Sequence, residues 1–217
     1  MSEYKVSEIT REKILSAARR LFYDKGYKNT KYEEICSDAG VNEGTLHYQY
    51  KSKAAVGKII NEQAVKKNFD EATALSAGCS SANPLVPFAL YNLIYWYKFY
   101  SDENYRRFAV EIAKEYKYSN VDEYFSTYTL LPQSIVECVT ANKFGKLNKA
   151  MIISIDSGVP EYLKEHLDEF TYTEIAKYEL LMYAKFVEYS QSEMLDAANQ
   201  AETIMQSIDL SALDTVL

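Results

Sequence analysis

The chain has 217 residues, 47% of them hydrophobic and 25% charged, the balance of an ordinary globular protein with length enough for one large domain or a small domain joined to a larger one. Seven glycines and four prolines are few, and together with plentiful Glu, Lys, Ala, Leu and Ile they favour long helices over strands and tight turns, so an all-α fold is expected. The formal charge of −7 is unevenly placed: residues 1–60 hold 11 Lys/Arg against 8 Asp/Glu, net +3, and the remaining 13 against 23 make −10, which marks the N-terminal segment as the part suited to a polyanion.

The opening "MSEYKVSEITREK" carries acidic residues and no apolar core, unlike a signal or transit peptide. No run of about 18 uncharged apolar residues occurs, so no membrane span and a cytoplasmic location are expected. Cys36, Cys79 and Cys138 are odd in number, far apart and without CxxC spacing, which reads as isolated thiols; neither a disulfide framework nor a metal site is expected.

In chain order, apolar residues at Ile14, Ala17, Ala18, Leu21 and Phe22 form one helical face and predict a helix from Thr10 to Asp24, with Thr10 as cap and Gly26 as stop. A short helix from about Lys31 to Ala39 follows, capped by Asn29 or Thr30, with Ile35 and Cys36 inward. Gly40 stops it, and Asn42 caps the next, Glu43 to about Tyr50. Two short helices joined by a glycine-containing turn make a helix-turn-helix. Ser52 opens a long helix to about Leu75, and "SAGCSSANP" at 76–84 is a boundary. Beyond it, helices are expected over Pro84–Tyr100, Asn104–Tyr118, Val121–Phe144 with a kink at Pro132, and Leu147–Asp156, broken by "SGVP" at 157–160. The last two are expected over Thr173–Tyr189 and Glu193–Ile208, the second capped by Ser192.

A helix-turn-helix reads DNA by laying its second helix in the major groove while flanking N–H groups and cations hold phosphates. The stretch "AGVNEGTLHYQYKSKAAV" has the parts. Gly44 allows close approach, Thr45 offers a hydroxyl and a methyl, and Leu46 anchors the helix. His47, Tyr48 and Gln49 project polar edges, and Lys53 lies in the first turn of the next helix, where it can grip a phosphate. Glu43 either meets a cytosine amine or only favours the helix start. Thr30 and Lys31, at the start of the preceding helix, complete the candidate DNA-binding set. Tyr50 reads as core.

Residues 10–60, with "ILSAARRLFYDKGYKNTKYEEICSDAGVNEGTLHYQYKSKAAV", resemble the N-terminal domain of the tetracycline-repressor (TetR) family. Its pattern includes Ala-Ala-x-x-Leu-Phe, Gly-Tyr, Ala-Gly-Val-x-x-Gly-Thr-Leu-Tyr-x-x-Phe and Lys-Ser-Lys. The resemblance implies an all-helical fold, three N-terminal helices that bind an operator in double-stranded DNA, and a C-terminal domain that forms a homodimer and binds a small effector. His47 stands where the family usually has Tyr, Gln49 where His or Tyr is common, Tyr50 where Phe is common, and Glu33 where a basic residue is frequent.

The resulting division is 1–52 for DNA binding and 53–217 for regulation and dimerisation. Fourteen of the 20 tyrosines fall after residue 60, many in "YNLIYWYKFY" at 91–100. They pack a core, or line a pocket for an aromatic or cationic ligand, with Trp96, Tyr124 and Tyr128 as lining candidates. His166, among Glu165 and Glu169, lacks a second histidine for a metal. The last two helices, apolar at Ile175, Leu180, Leu181, Tyr183, Val187, Met194, Leu195, Ala198, Ile204 and Met205, are the expected dimer bundle. The chain is thus expected to be a transcriptional repressor released by a small-molecule effector. The alternative is a DNA-binding protein answering to a protein partner. No nucleotide loop, nucleophile motif or metal cluster suggests an enzyme or a cofactor.

Overall fold

The computed structural model describes residues 3–78, 83–116, 143–186, 189–213 and 217. The fold is all-α, and no strand occurs among the described residues. In chain order the helices are α1 (Glu3–Lys25), α2 (Tyr32–Ala39), α3 (Glu43–Tyr50), α4 (Lys53–Ala77), α5 (Val86–Ser101), α6 (Glu103–Tyr116), α7 (Gly145–Leu163), α8 (Tyr172–Tyr183) and α9 (Gln191–Gln206), with a 3₁₀ turn at Leu210–Ala212. None of these helices is long and apolar enough to cross a membrane.

Several boundaries differ from the sequence expectation, each for a local reason. Helix α1 begins at Glu3, so Thr10 lies inside it and not at its start. Asn29 and Thr30 cap the end of α1 instead of the start of α2: Asn29 Nδ2 donates to the Lys25 carbonyl at 3.0 Å and Thr30 Oγ1 to the Gly26 carbonyl at 2.8 Å. The start of α2 is held by Glu34, whose carboxylate accepts from the Lys31 backbone N–H at 2.8 Å. Gly40 ends α2 at φ 66°, where a left-handed turn favours glycine.

Helix α7 runs through "SGVP" without stopping, with Pro160 inside it. Neighbouring packing overrides the breaker, since Pro160, Ile153 and Leu163 are all buried. Helix α9 is capped by Ser190 with Glu193, not by Ser192: Ser190 Oγ accepts from the Glu193 N–H at 3.2 Å, and the Glu193 carboxylate accepts from the Ser190 N–H at 2.8 Å. The expected helix at Val121–Phe144, its kink at Pro132, and Cys79 and Cys138 lie wholly or mostly outside the described residues.

Two apolar clusters organise the molecule. The first joins Ile14, Leu15, Ala18 and Phe22 of α1 to Ile35 and Cys36 of α2, Leu46 and Tyr50 of α3, and Val56 and Ile60 of α4, and is completed by Tyr105, Phe108 and Ile112 of α6. The second centres on α5, covered by α4, α8 and α9. Each fully buried large apolar side chain contributes roughly 1.5–3 kcal/mol.

The second cluster encloses polar groups as well. Glu179 accepts from Asn92 Nδ2 at 2.7 Å and Trp96 Nε1 at 2.8 Å. Lys98, 1% exposed, donates to Asn68 Oδ1 at 2.8 Å and Glu71 at 2.7 Å. Trp96, expected to line a ligand pocket, is fully buried in this core, with its indole N–H on Glu179 and its ring against Tyr95 and Phe99. Tyr124 and Tyr128 lie outside the described residues.

The expected dimer residues are likewise spent within the chain. Ile175, Leu180, Met194, Ala198, Ile204 and Met205 are buried in the second cluster, and Tyr183 packs against it. Of the set, Leu195 is 39% exposed, and Val187 is outside the described residues. An amphipathic helix has one apolar face, and here α5 takes it.

Candidate nucleic-acid interface

Helix α3 is short, and its position is set from three sides. Asn42 caps it, Oδ1 accepting from the Thr45 N–H at 2.8 Å and from the Thr45 hydroxyl at 3.0 Å. Leu46, fully buried, and Tyr50, 4% exposed, fasten it to the core, with the Tyr50 hydroxyl donating to the Arg11 carbonyl at 3.3 Å. A Cβ on Gly44 would stand 3.3 Å from Asn42 Oδ1, so this glycine clears room for the cap as well as for an approaching surface. Lys51 closes the helix at φ 62° and ψ −39°, a positive-φ conformation that costs a non-glycine residue about 1 kcal/mol or more.

The outward face consists of Glu43, Gly44, His47, Tyr48 and Lys51, all exposed, with Tyr48 at 75%. Lys51 Nζ lies 5.8 Å from the centre of the Tyr48 ring, so cation and phenol travel together at the tip. Gln49 points away from this face: its Nε2 donates to Ser7 Oγ at 3.2 Å, tying α3 to the first turns of α1.

Lys53 and Thr30 also occupy unexpected places. Thr30 is 1% exposed and its hydroxyl is spent on backbone carbonyls. Lys53 Nζ donates to the carbonyls of Tyr27 and Thr30, each at 3.0 Å, and sits 4.5 Å from the centre of the Tyr27 ring. Two of its three N–H groups therefore stabilise the α1–α2 connection and one remains. Burial, with Glu115 adding to it, pushes the Tyr27 hydroxyl up to about 12. These contacts bring the first turn of α4, capped by Ser52, beside Lys31 at the start of α2. Two helix N-termini and the exposed Lys31 thus share one end of the unit, where backbone N–H groups and positive charge favour anions.

Sequence reasoning missed two supports. The seven residues by which α1 precedes Thr10 supply Ser7, the anchor of Gln49; the absence of Gly and Pro from that stretch was the available signal. The second support is α6. Arg107 donates to the carbonyls of Tyr23 at 2.6 Å and Asp24 at 2.9 Å, Glu111 accepts from the Lys28 N–H at 2.9 Å, and the Tyr23 hydroxyl donates to Asp102 at 2.5 Å. Gly57 of α4 lets the elements close up, since a Cβ there would lie 2.8 Å from the Tyr27 ring and 2.9 Å from Ile112 Cδ1. Nothing in the spacing of α6 announced these long-range partners.

An exposed polar helix set on a three-helix unit, flanked by helix N-termini, is the geometry of a DNA-reading helix-turn-helix. Residues 14–56 match the family model for "Bacterial regulatory proteins, tetR family", so the N-terminal unit is a helix-turn-helix of the tetR type. A curated relative, the "Biofilm operon icaADBC HTH-type negative transcriptional regulator IcaR" of Staphylococcus aureus (strain Newman), is 30% identical over 116 residues, 54% of this chain. The match spans 57% of that regulator's length. A solved TetR-family transcriptional regulator from Pectobacterium atrosepticum shares 14% identity over 95% of this chain and 97% of its own, with a TM-score of 0.49. A tetR family transcription regulator from Shewanella sp. PV-4 shares 18% over 80% of this chain and 95% of its own, at 0.47.

Proposed function

We propose that this chain represses transcription by binding operator DNA through α3, as a homodimer, and that a small-molecule effector taken up by the C-terminal domain releases it. The observation that carries the DNA reading is the exposed face of α3, with Tyr48 and Lys51 at its tip and two helix N-termini beside it. Glu43, His47 and Tyr48 face the groove. Lys31, Lys51 and the remaining N–H of Lys53 meet phosphates, while Thr30 serves only the fold. The negative sign is supported by the described role of the relative in S. aureus. Two reading helices on successive major grooves require a dimer. With the apolar faces of α8 and α9 turned to α5, the faces left for it carry Tyr178 and Leu195, 62% and 39% exposed.

Release follows from the clamp between α6 and α1. An effector that prefers a different position of α6 changes the spacing of the reading helices, and lowers DNA affinity by its differential affinity for the two states. A protein effector is the second reading, favoured by Phe144, Leu147, Met151 and Tyr162, which leave an exposed apolar stripe on one face of α7.

The test is selection of DNA from a random pool by the full chain, followed by titration of the recovered site. Recovery of a two-fold symmetric site, bound with an affinity that falls steeply with salt, is expected. Retention of DNA without sequence preference would sink the operator reading.

A further inference from the structure

Hydrogen bonds inside the α3 turn determine what the Glu43 and His47 side chains on its outward face can offer a base, and these two offer acceptors. His47 and Lys51 are tied twice. The Lys51 N–H donates to the His47 carbonyl at 2.9 Å, and His47 Nδ1 stands 2.9 Å from the Lys51 carbonyl oxygen. A carbonyl only accepts, so Nδ1 of the neutral ring carries the proton and Nε2 presents a lone pair. The positive φ of Lys51 accompanies this double tie. One helical turn earlier on the same face lies exposed Glu43, whose carboxylate only accepts. Thr45 has its hydroxyl hydrogen on Asn42 Oδ1, and the amide donors of Gln49 are turned to Ser7. Donors on or beside this face are the backbone N–H groups of Glu43 and Gly44 in the first turn, the Asn42 amide before the helix, and Tyr48 and Lys51; the side chains of Glu43 and His47 only accept.

A stripe of acceptors cannot be satisfied by phosphate oxygens, which repel it, nor by guanine O6 and N7, which also accept. In the major groove only adenine N6 and cytosine N4 donate. We infer that Glu43 and His47 are specificity-determining residues that read exocyclic amines, so the bases beneath them are adenine or cytosine contacted through N6 or N4, with purine N7 left untouched. This rests on α3 being the DNA-reading helix.

The test uses the full chain and the operator it selects, at pH 8. Each adenine in the half-site is replaced singly by purine deoxyriboside, which lacks the N6 amine, or by 7-deazaadenine, which lacks N7. Each cytosine is replaced by the analogue lacking N4, and each guanine by 7-deazaguanine. Removing the amine beneath Glu43 or His47 is expected to weaken binding about tenfold, while 7-deaza substitution at the same positions changes it less than twofold. In the Glu43→Ala and His47→Ala proteins the sensitivity to amine removal disappears at the base each residue reads, which assigns the positions. His47→Arg, which replaces an acceptor with a donor fork, is expected to select guanine there. Loss on 7-deaza substitution, or indifference to amine removal, overturns the inference and leaves α3 as a DNA-binding helix. Failure to recover any sequence-specific DNA removes the underlying reading with it.

Discussion

Two glutamates show how differently the N-terminal unit and the C-terminal domain are built. Glu34 lies on the helix-turn-helix surface, where hydrogen bonds from the Lys25 ammonium and the Lys31 backbone N–H hold its carboxyl below the ordinary range. Glu179 is buried in the α5 core, where desolvation raises it against the opposing hydrogen bonds of Trp96, Asn92 and Tyr183. The N-terminal unit keeps its polar chemistry outside and uses it for caps and contact. The C-terminal domain draws polar groups into its core, where each must find a partner. Polar substitutions should therefore change binding in the first region and stability in the second.

Among single substitutions the largest break is expected at Lys98. Lys98→Ala leaves Asn68 and Glu71 without their cation and should cost about 3 kcal/mol, read as a lowered urea midpoint. Glu71 is 23% exposed in its side chain, so water recovers part of the loss. Deleting residues 171–217 is more drastic in kind: it strips α8 and α9 from α5, so an unfolded C-terminal domain is expected in sedimentation and circular dichroism, not a folded monomer.

Glu179 comes next. Glu179→Ala strands the Asn92 and Trp96 donors and should cost about 2 kcal/mol. Glu179→Gln keeps an acceptor and changes the pH profile instead. Because burial raises the folded carboxyl above the ordinary carboxylate range, the folded state holds the proton that the unfolded state has lost. Stability therefore falls as pH rises from the ordinary carboxylate range through the raised folded one. The glutamine variant should lose this slope, and a profile that keeps it would place the titration elsewhere. Glu34 has the opposite sign: its contribution is present above the ordinary carboxylate range and fades as acid protonates it.

In the N-terminal unit, Asn42→Ala should cost about 1 kcal/mol for the lost cap. Tyr48→Ala, at a side chain 75% exposed, should leave the melting profile unchanged within about 0.5 kcal/mol and weaken DNA binding. Lys53→Ala should do both, since that ammonium also holds the carbonyls of Tyr27 and Thr30. A stability loss at Tyr48 equal to that at Lys53 would erase the contrast between a contact residue and a supporting one.

Much of the helix-turn-helix was legible because its determinants are local. Asn42 and Ser52 cap α3 and α4 as their identities predict, Gly40 takes the left-handed turn, and Leu46 and Tyr50 fall inward by helical spacing. Reading failed where a residue had two local uses. Thr30 suits the start of α2 and the end of α1 equally well, and the fold uses it at the second. Pro160 ought to end a helix, yet α7 continues because its apolar neighbours are buried on both sides of it.

The sequence by itself determined that the chain is helical, that residues 41–53 form a capped turn and short helix, and that the net positive charge lies in residues 1–60. Spacing, caps and composition act over a few residues, so no distant partner is needed to know them. Tertiary structure decided which polar groups remain free to act. Gln49 is taken by Ser7, Lys53 by two carbonyls, Trp96 by Glu179, and the apolar faces of α8 and α9 by α5. It also fixed the tautomer of His47, because the Lys51 carbonyl that holds its proton is placed by the backbone of a closed helix end. Which lone pair or proton faces outward depends on what the inward side has already bound.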